Sequence, residues 1–436
     1  MRFLLILFLL CPPPAAALGI LEAYRRAQDF DAEYSAARAM LEAGRERLPQ
    51  ARAGLLPSLT LSGNATRYDD SIRANGLTET ARYSRRAYAL TLSQPLFRWQ
   101  NLIEYEQGKI SVALSEARFM QSGQDLILRV AEAYFAVLNA QSDLAATRTQ
   151  KEAIAQQFEQ ARQYYEVGAA TIVDTSEAQS RHDLVLAQEI AGENELEVCR
   201  EALRVLIGEA PMALAPLDPE KPLPPPQPAQ MAPWVEAAQK DNLAVQIAAY
   251  NDDLARREVD RAKAGHYPTL DIVANVGGSR STESGARVKS ETGDIGVQLN
   301  LPLFTGGYVS SQAREAVANQ QAALALLEAA RRNAMLSARQ NFLGVVNGLA
   351  RIRALKAALA SSLTSLEHNK TGYEVGVRIN IDVLNAEQQV FTTRRDLARA
   401  YHDTLLARLR LKGAIGTLDE RDVAEIDALL ESGTSP

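Results

Sequence analysis

The sequence predicts a mainly α-helical fold with a membrane β part, built from two copies of one helix, β-hairpin, long helix, helix unit. Three observations carry this. Tyr165-Glu166-Val167-Gly168 followed by Asp174 recurs, at one constant offset, as Tyr373-Glu374-Val375-Gly376 followed by Asp382. A chain that makes the same turn twice is built from a repeated supersecondary unit. Long proline-free runs rich in Ala and Leu, Phe97 to Tyr165 and Phe304 to Tyr373, lead into the two turns with apolar residues at helical spacing. Ahead of each run lie two segments with period-two alternation, bracketed by Pro57 and Pro95 in one half and by Pro268 and Pro302 in the other.

Composition narrows the classes. The chain has 436 residues and a formal net charge of −6, which argues against nucleic acid as a partner. It is 47% hydrophobic but only 6% aromatic, which suits closely packed helices. Residues 1–17 read as a signal peptide: Arg2, an apolar stretch from Phe3 to Leu10, then Ala15-Ala16-Ala17 as a cleavage site. Leu10 before Cys11 is not the small residue that a lipoprotein signal needs. Loss of Cys11 leaves Cys199 alone, so the mature chain has no intrachain disulfide. No later run approaches the ~18 apolar residues of a spanning helix, so entry into a membrane requires strands.

In chain order, residues 18–210 form the first repeat. A helix is expected from Leu18 to about Leu48, with Ile20, Ala23, Tyr24, Ala27, Phe30 and Ala37 on one face. Strands follow at about 57–69 and 84–95. Leu59 and Leu61 alternate with Ser58, Thr60 and Ser62; Tyr88, Leu90 and Leu92 alternate with Ala89, Thr91 and Ser93. Asp69-Asp70-Ser71 and Asn75-Gly76 mark the loop. The 68 residues from Phe97 to Tyr165 would span on the order of 100 Å as one helix. Gly168 stops it, since glycine takes the left-handed cap conformation at little cost, and a helix from about Thr171 to Ile207 returns. Residues 211–233 hold half of the 18 prolines and read as a stiff extended linker. Residues 234–416 repeat the order, with a helix from about Trp234 to Ala264, strands at about 268–280 and 292–302, and a loop beginning at Gly277-Gly278. The tail, 417–436, is polar and expected to be peripheral.

Each hairpin has one apolar face that nothing in the chain is spare to cover. Lipid can cover it, but an open sheet edge cannot stand in lipid, because its backbone groups would lack partners. Four strands are also fewer than the eight of the smallest single-chain barrels. The chain therefore shares a barrel with copies of itself, two giving eight strands and three giving twelve.

The duplicated plan, the two Val-Gly…Asp turns and Leu411-Lys412-Gly413-Ala414-Ile415-Gly416-Thr417-Leu418 resemble the TolC family of outer-membrane efflux channels, over about Leu18 to Leu430. The resemblance implies a homotrimer with a 12-stranded outer-membrane β-barrel continuous with an α-helical barrel in the periplasm. It implies an exit duct for efflux or type I protein secretion, located in the cell outer membrane. Expected partners are outer-membrane lipid, a periplasmic adaptor (membrane fusion) protein and an inner-membrane ABC or RND transporter. By the same resemblance, Tyr373 and Arg378 of the second repeat latch to Asp174 of the first, and Asp382 forms a pore-facing ring. This chain departs from the pattern in having Asn385 as the second ring residue, Val173 at a supporting threonine and Lys370 where a further latch glutamate would stand. Val167, Gly168, Val375 and Gly376 would be the turns where adaptor hairpins dock.

Other readings compete. Thr171 and Asp174 also fit a helix capping box; in the second repeat Asn380 would be the cap. The four histidines, His182, His266, His368 and His402, lie near no metal-ligand motif, and no catalytic constellation is present. No cofactor, metal or enzymatic activity is expected. The rival function is a periplasmic coiled-coil scaffold or adaptor, which leaves the amphipathic hairpins without a purpose.

Overall fold

The computed structural model describes residues 17–168, 171–209, 213–218, 221–283 and 286–430. The predicted signal peptide, apart from Ala17, lies outside them. The described chain forms ten α-helices and four strands: α1 (Ile20–Phe30), α2 (Ala32–Arg45), α3 (Arg47–Ala53), β1 (Ser58–Ala74), β2 (Leu77–Phe97), α4 (Trp99–Glu166), α5 (Ile172–Ile207), α6 (Met231–Asp241), α7 (Leu243–Lys263), β3 (Thr269–Glu283), β4 (Ala286–Asn300), α8 (Tyr308–Glu374), α9 (Asn380–Ala414) and α10 (Glu420–Asp427). The long helices α4 and α8 run for 68 and 67 residues. No helix among the described residues is long and apolar enough to cross a membrane.

Two compact units emerge, and each draws on both repeats. One comprises the chain up to Arg38, Phe119–Val245 and the chain from Arg331; the other comprises Ala39–Arg118 and Gln246–Ala330.

In the first unit, Tyr134 and Phe135 of α4 are fully buried with Leu126 and Val130, packed with Ile20 of α1, Leu203 of α5, Leu405 and Leu409 of α9 and Ile426 of α10. The Tyr134 hydroxyl lies 3.0 Å from the Leu18 carbonyl oxygen and 2.9 Å from that of Ala215. It thereby ties the N-terminal segment and the proline-rich segment to α4. That segment is not a free extended linker: Leu214 and Ala215 are buried, and Leu214 and Leu217 form bridges to Leu18 and Leu430. Nor is the tail peripheral, because Val423, Ile426 and Leu430 enter the same core.

The single helix expected over 18–48 is broken at Asp31, which takes an extended conformation. Its buried carboxylate accepts the Tyr34 amide at 2.7 Å and both arms of the Arg129 guanidinium at 3.0 Å. The first helix of the second repeat breaks the same way at Asn242, whose Oδ1 accepts the amides of Ala244 and Val245. In both places a short polar side chain replaces the carbonyl that the interrupted helix no longer supplies.

The second unit holds an antiparallel sheet of order β1-β2-β3-β4. In register, Leu59 faces Leu92, Leu92 faces Ala274, and Ala274 faces Ile295, so these side chains share one face with Leu61, Leu90 and Val276. The other face is polar. There the Thr91 hydroxyl donates to Asn275 Oδ1 at 2.8 Å, and Asn275 Nδ2 donates to Asp294 at 3.0 Å. The strands run further than the sequence pattern suggests. Asp69 and Asp70 lie inside β1, and Gly277 and Gly278 inside β3. The first hairpin closes through Asn75 and Gly76 alone, at φ +52° and +80°, a two-residue turn whose twist matches the strands. The second turn, at 284–285, lies outside the described residues.

Candidate functional site: the paired helix turns

The two helix turns that the sequence singles out have one backbone geometry. α4 ends at Glu166 and α8 at Glu374, and Gly168 and Gly376 follow at φ +75° and +76°. The Gly168 amide donates to the Tyr165 carbonyl and the Gly376 amide to that of Tyr373, each at 3.0 Å. Any side chain at these two positions would be strained by the positive φ. Val167 and Ile172 at the first turn, and Val375, Val377 and Ile379 at the second, are all exposed. Each turn therefore presents apolar side chains that nothing among the described residues covers.

Beyond the glycines the turns diverge. Thr171 is the N-cap of α5 in a complete capping box: the Thr171 amide and hydroxyl donate to the Asp174 carboxylate at 3.0 and 2.7 Å, and the Asp174 amide donates back to the Thr171 hydroxyl at 3.3 Å. These bonds, the hydroxyl's first, hold the Asp174 carboxyl below its ordinary value. The second turn has no such box. Ile379 is the N-cap of α9 with no side-chain bond, and Asn380 is already helical, so Asn380 is not the cap. In its place the amides of Val377 and Arg378 both donate to the Gly372 carbonyl, at 2.8 and 3.0 Å.

The expected gate residues divide into two groups. Arg378 Nη1 lies 3.6 Å from Asp382 Oδ2, four residues along its own strand of sequence. Asn385 Oδ1 accepts both terminal nitrogens of Arg181 at 3.4 Å, which links α9 to α5 across the repeats. Among the described residues no hydrogen bond or ion pair joins Asp174 to Tyr373 or to Arg378. Asp174 is nevertheless felt at Tyr373: partial burial raises that phenol's pKa first, and Tyr164 and Asp174 raise it further.

One link escapes sequence reading. Lys370 of α8, standing where a latch glutamate was expected, meets Glu387 of α9 at 2.9 Å. Glu387 is buried and also accepts Gln157 Nε2 of α4 at 3.1 Å. Three helices from both repeats thus converge on one carboxylate, beside the apolar cluster of Ile154, Val185 and Leu384. The only sequence signal was Glu387 falling on the same helical face as Leu384. A second missed pair lies in the other unit. Asp271, read as a polar strand residue, is buried and takes a bidentate Arg98 contact at 2.8 Å, joining the junction between β2 and α4 to β3. Among the described residues no group of His, Cys, Asp or Glu is placed to hold a metal.

Comparison with known proteins agrees with this architecture. The family described as "Outer membrane efflux protein" matches residues 23–209 and 234–417. Outer membrane protein TolC of Escherichia coli (strain K12) is 33% identical over 96% of this chain and 86% of its own. Alkaline protease secretion protein AprF of Pseudomonas aeruginosa is 33% identical over 98% of this chain and 90% of its own. In fold, the chain is similar to the outer membrane protein VceC of Vibrio cholerae, with a TM-score of 0.78 at 20% identity over 91% of this chain and 96% of that one. It is likewise similar to the Campylobacter jejuni CmeC outer membrane channel, with a TM-score of 0.80 at 18% identity over 94% and 90%.

Proposed function

The chain belongs to the outer membrane efflux protein family, and from that premise we propose that it is a subunit of a TolC-like exit duct for efflux or type I secretion, three copies of which close one barrel in the outer membrane. The supporting observation is the four-stranded sheet with an apolar face and two long edge strands, β1 and β4. Leu61 on β1 is 73% exposed and Ile295 on β4 is 77% exposed. In lipid those faces are solvated, but the edges must find backbone partners, and the free edge of β4 in one copy can pair with that of β1 in the next. Trimer formation would give twelve strands and a lumen lined by the polar face. Phe97, Trp99, Tyr267, Phe304 and Tyr308 are exposed where strands give way to helices, as an interfacial aromatic girdle requires. A water-soluble scaffold has no use for these faces.

The helix turns are the proposed gate and docking site at the periplasmic end of the helices. In the closed duct Asp174 would exchange its Thr171 bonds for Tyr373 and Arg378, with Asp382 and Asn385 toward the pore. Val167, Gly168, Val375 and Gly376 would receive an adaptor protein that couples the duct to an inner-membrane transporter. The energy comes from that partner, and no catalytic step belongs to this chain.

Mass measurement in detergent tests the assembly: three chain masses are expected, and a monomer that needs no detergent would end the reading. Planar bilayer recording tests the gate. Arg378→Ser is expected to raise single-channel conductance severalfold, and an unchanged conductance removes Arg378 from it.

A further inference from the structure

The apolar face of the sheet ends in a row of cations. In register, Arg86 of β2 faces Arg280 of β3, and Arg280 faces Lys289 of β4. Side chains alternate along a strand, so these three share the face of Leu90, Leu92, Val276 and Ile295 and not the polar one. All three are exposed. Like charges placed directly opposite one another on adjacent strands destabilise a sheet. Among the described residues the single anion bonded to the row is Glu291, which pairs with Lys289. Asp69, further along the same face of β1, is already paired with Arg82 at 3.0 Å. Glu291 is also felt by Arg280, but no ion pair or hydrogen bond among the described residues joins an anion to Arg86 or Arg280.

The row is also shaped. Tyr88 lies over Gly278, where an added Cβ would come within 2.8 Å of its hydroxyl. Together with Arg86, Arg280, Lys289 and Glu291 they line a shallow depression of about 340 Å³. Its depth in the membrane follows from the strand. Leu270 opens the apolar face of β3 and Arg280 lies ten residues on. At ~3.3 Å per residue and a tilt of about 40°, that is a rise of roughly 25 Å, the height of an outer-membrane barrel's apolar band. The cations therefore stand at the rim of that band, where lipid headgroups begin, on the side away from the aromatic girdle.

We propose that Arg86, Arg280 and Lys289 form a binding site for the phosphate groups of a phosphorylated glycolipid in the outer leaflet, with its acyl chains lying along Leu90, Val276 and Ile295. The proposal rests on the apolar face meeting lipid in the proposed barrel. Arginine forks match phosphate oxygens in paired, charge-assisted bonds, and a phosphate between Arg86 and Arg280 removes their mutual repulsion. The same cations projecting into the lumen would serve cargo instead, but the register excludes that orientation.

Native mass spectrometry of the detergent-solubilised full chain tests this with bisphosphorylated lipid A as probe. The Arg86→Ser, Arg280→Ser, Lys289→Ser triple variant is compared with Arg85→Ser, which lies one residue away on the polar face. The wild type and Arg85→Ser are expected to retain the probe, and the triple variant at least tenfold less. Dephosphorylated lipid A should bind the wild type no better than the triple variant does, and millimolar inorganic phosphate should not displace the intact lipid. Equal retention by the triple variant, equal binding of dephosphorylated lipid, or displacement by free phosphate alone would overturn the site. Oligomer mass and conductance, measured on the same samples, separate the two readings. If both are normal while retention is unchanged, the lipid site falls and the duct stands; a wild type that is a soluble monomer removes both.

Discussion

At the scale of single residues, the two most exposed to test are buried and titratable. Asp31 interrupts the first helix and keeps its charge under cover because Arg129 binds both its oxygens. Burial alone would raise its carboxyl, but the Arg129 and backbone bonds outweigh that and leave it below the ordinary value. A depressed carboxylate stabilises the fold above its unfolded pKa, and that contribution is lost as pH falls through the folded one. Arg129→Ala strands the charge, and the expected loss is about 3 kcal/mol, read from denaturant unfolding in detergent; a loss near zero would mean that water reaches Asp31. His402 acts in the same direction, through burial alone. It is buried against Phe135 with Nδ1 2.6 Å from Asn139 Oδ1, and burial lowers its pKa to about 4. The unfolded chain takes up the proton first, so stability is full above pH 6.5 and declines as pH drops toward 4. The decline attributable to this group is on the order of 3 kcal/mol. His402→Gln should flatten the stability profile across that interval, and an unchanged slope would assign it to other groups.

At the scale of elements, the helix turns were the most legible part of the sequence. Gly168 and Gly376 announce themselves because the left-handed conformation they adopt suits glycine best. The strands were legible as strands from Leu59, Leu61, Leu90 and Leu92, but their ends were not. Beyond Asp69 the stabilising contacts run across the hairpin, as in the Tyr68–Tyr83 ring stack and the Asp69–Arg82 ion pair, and neither is visible until the strands are paired. The break at Asp31 was hidden for the same reason, since Arg129 lies 98 positions away. So was the convergence of Lys370, Glu387 and Gln157, which needs three helices side by side. That convergence makes its own prediction. Lys370→Glu alone should speed amide exchange at the end of α8, and Glu387→Lys added to it should restore protection. If the double exchange does not recover, the ion pair is not what holds these helices.

At the scale of the whole molecule, the repeats and the compact units do not coincide. Each unit takes helices from both repeats, and the segment between the repeats is held in the first unit by Tyr134 and Leu18. The C-terminal segment completes that core through α10. Severing the chain inside 211–233 should therefore yield two fragments that are insoluble or unfolded when expressed singly. Expressed together, they should reassemble into a complex with the helical content of the intact chain by circular dichroism. Independent folding of either fragment would show that its repeat carries a sufficient core.

Mutual dependence of this kind bears on how such a chain could have arisen. A single copy, lacking its twin, would have no partner within the same polypeptide to finish either core and would have to find one in a second molecule. Joining two copies in one chain turns an association between neighbours into connectivity, with the proline-rich segment as the seam.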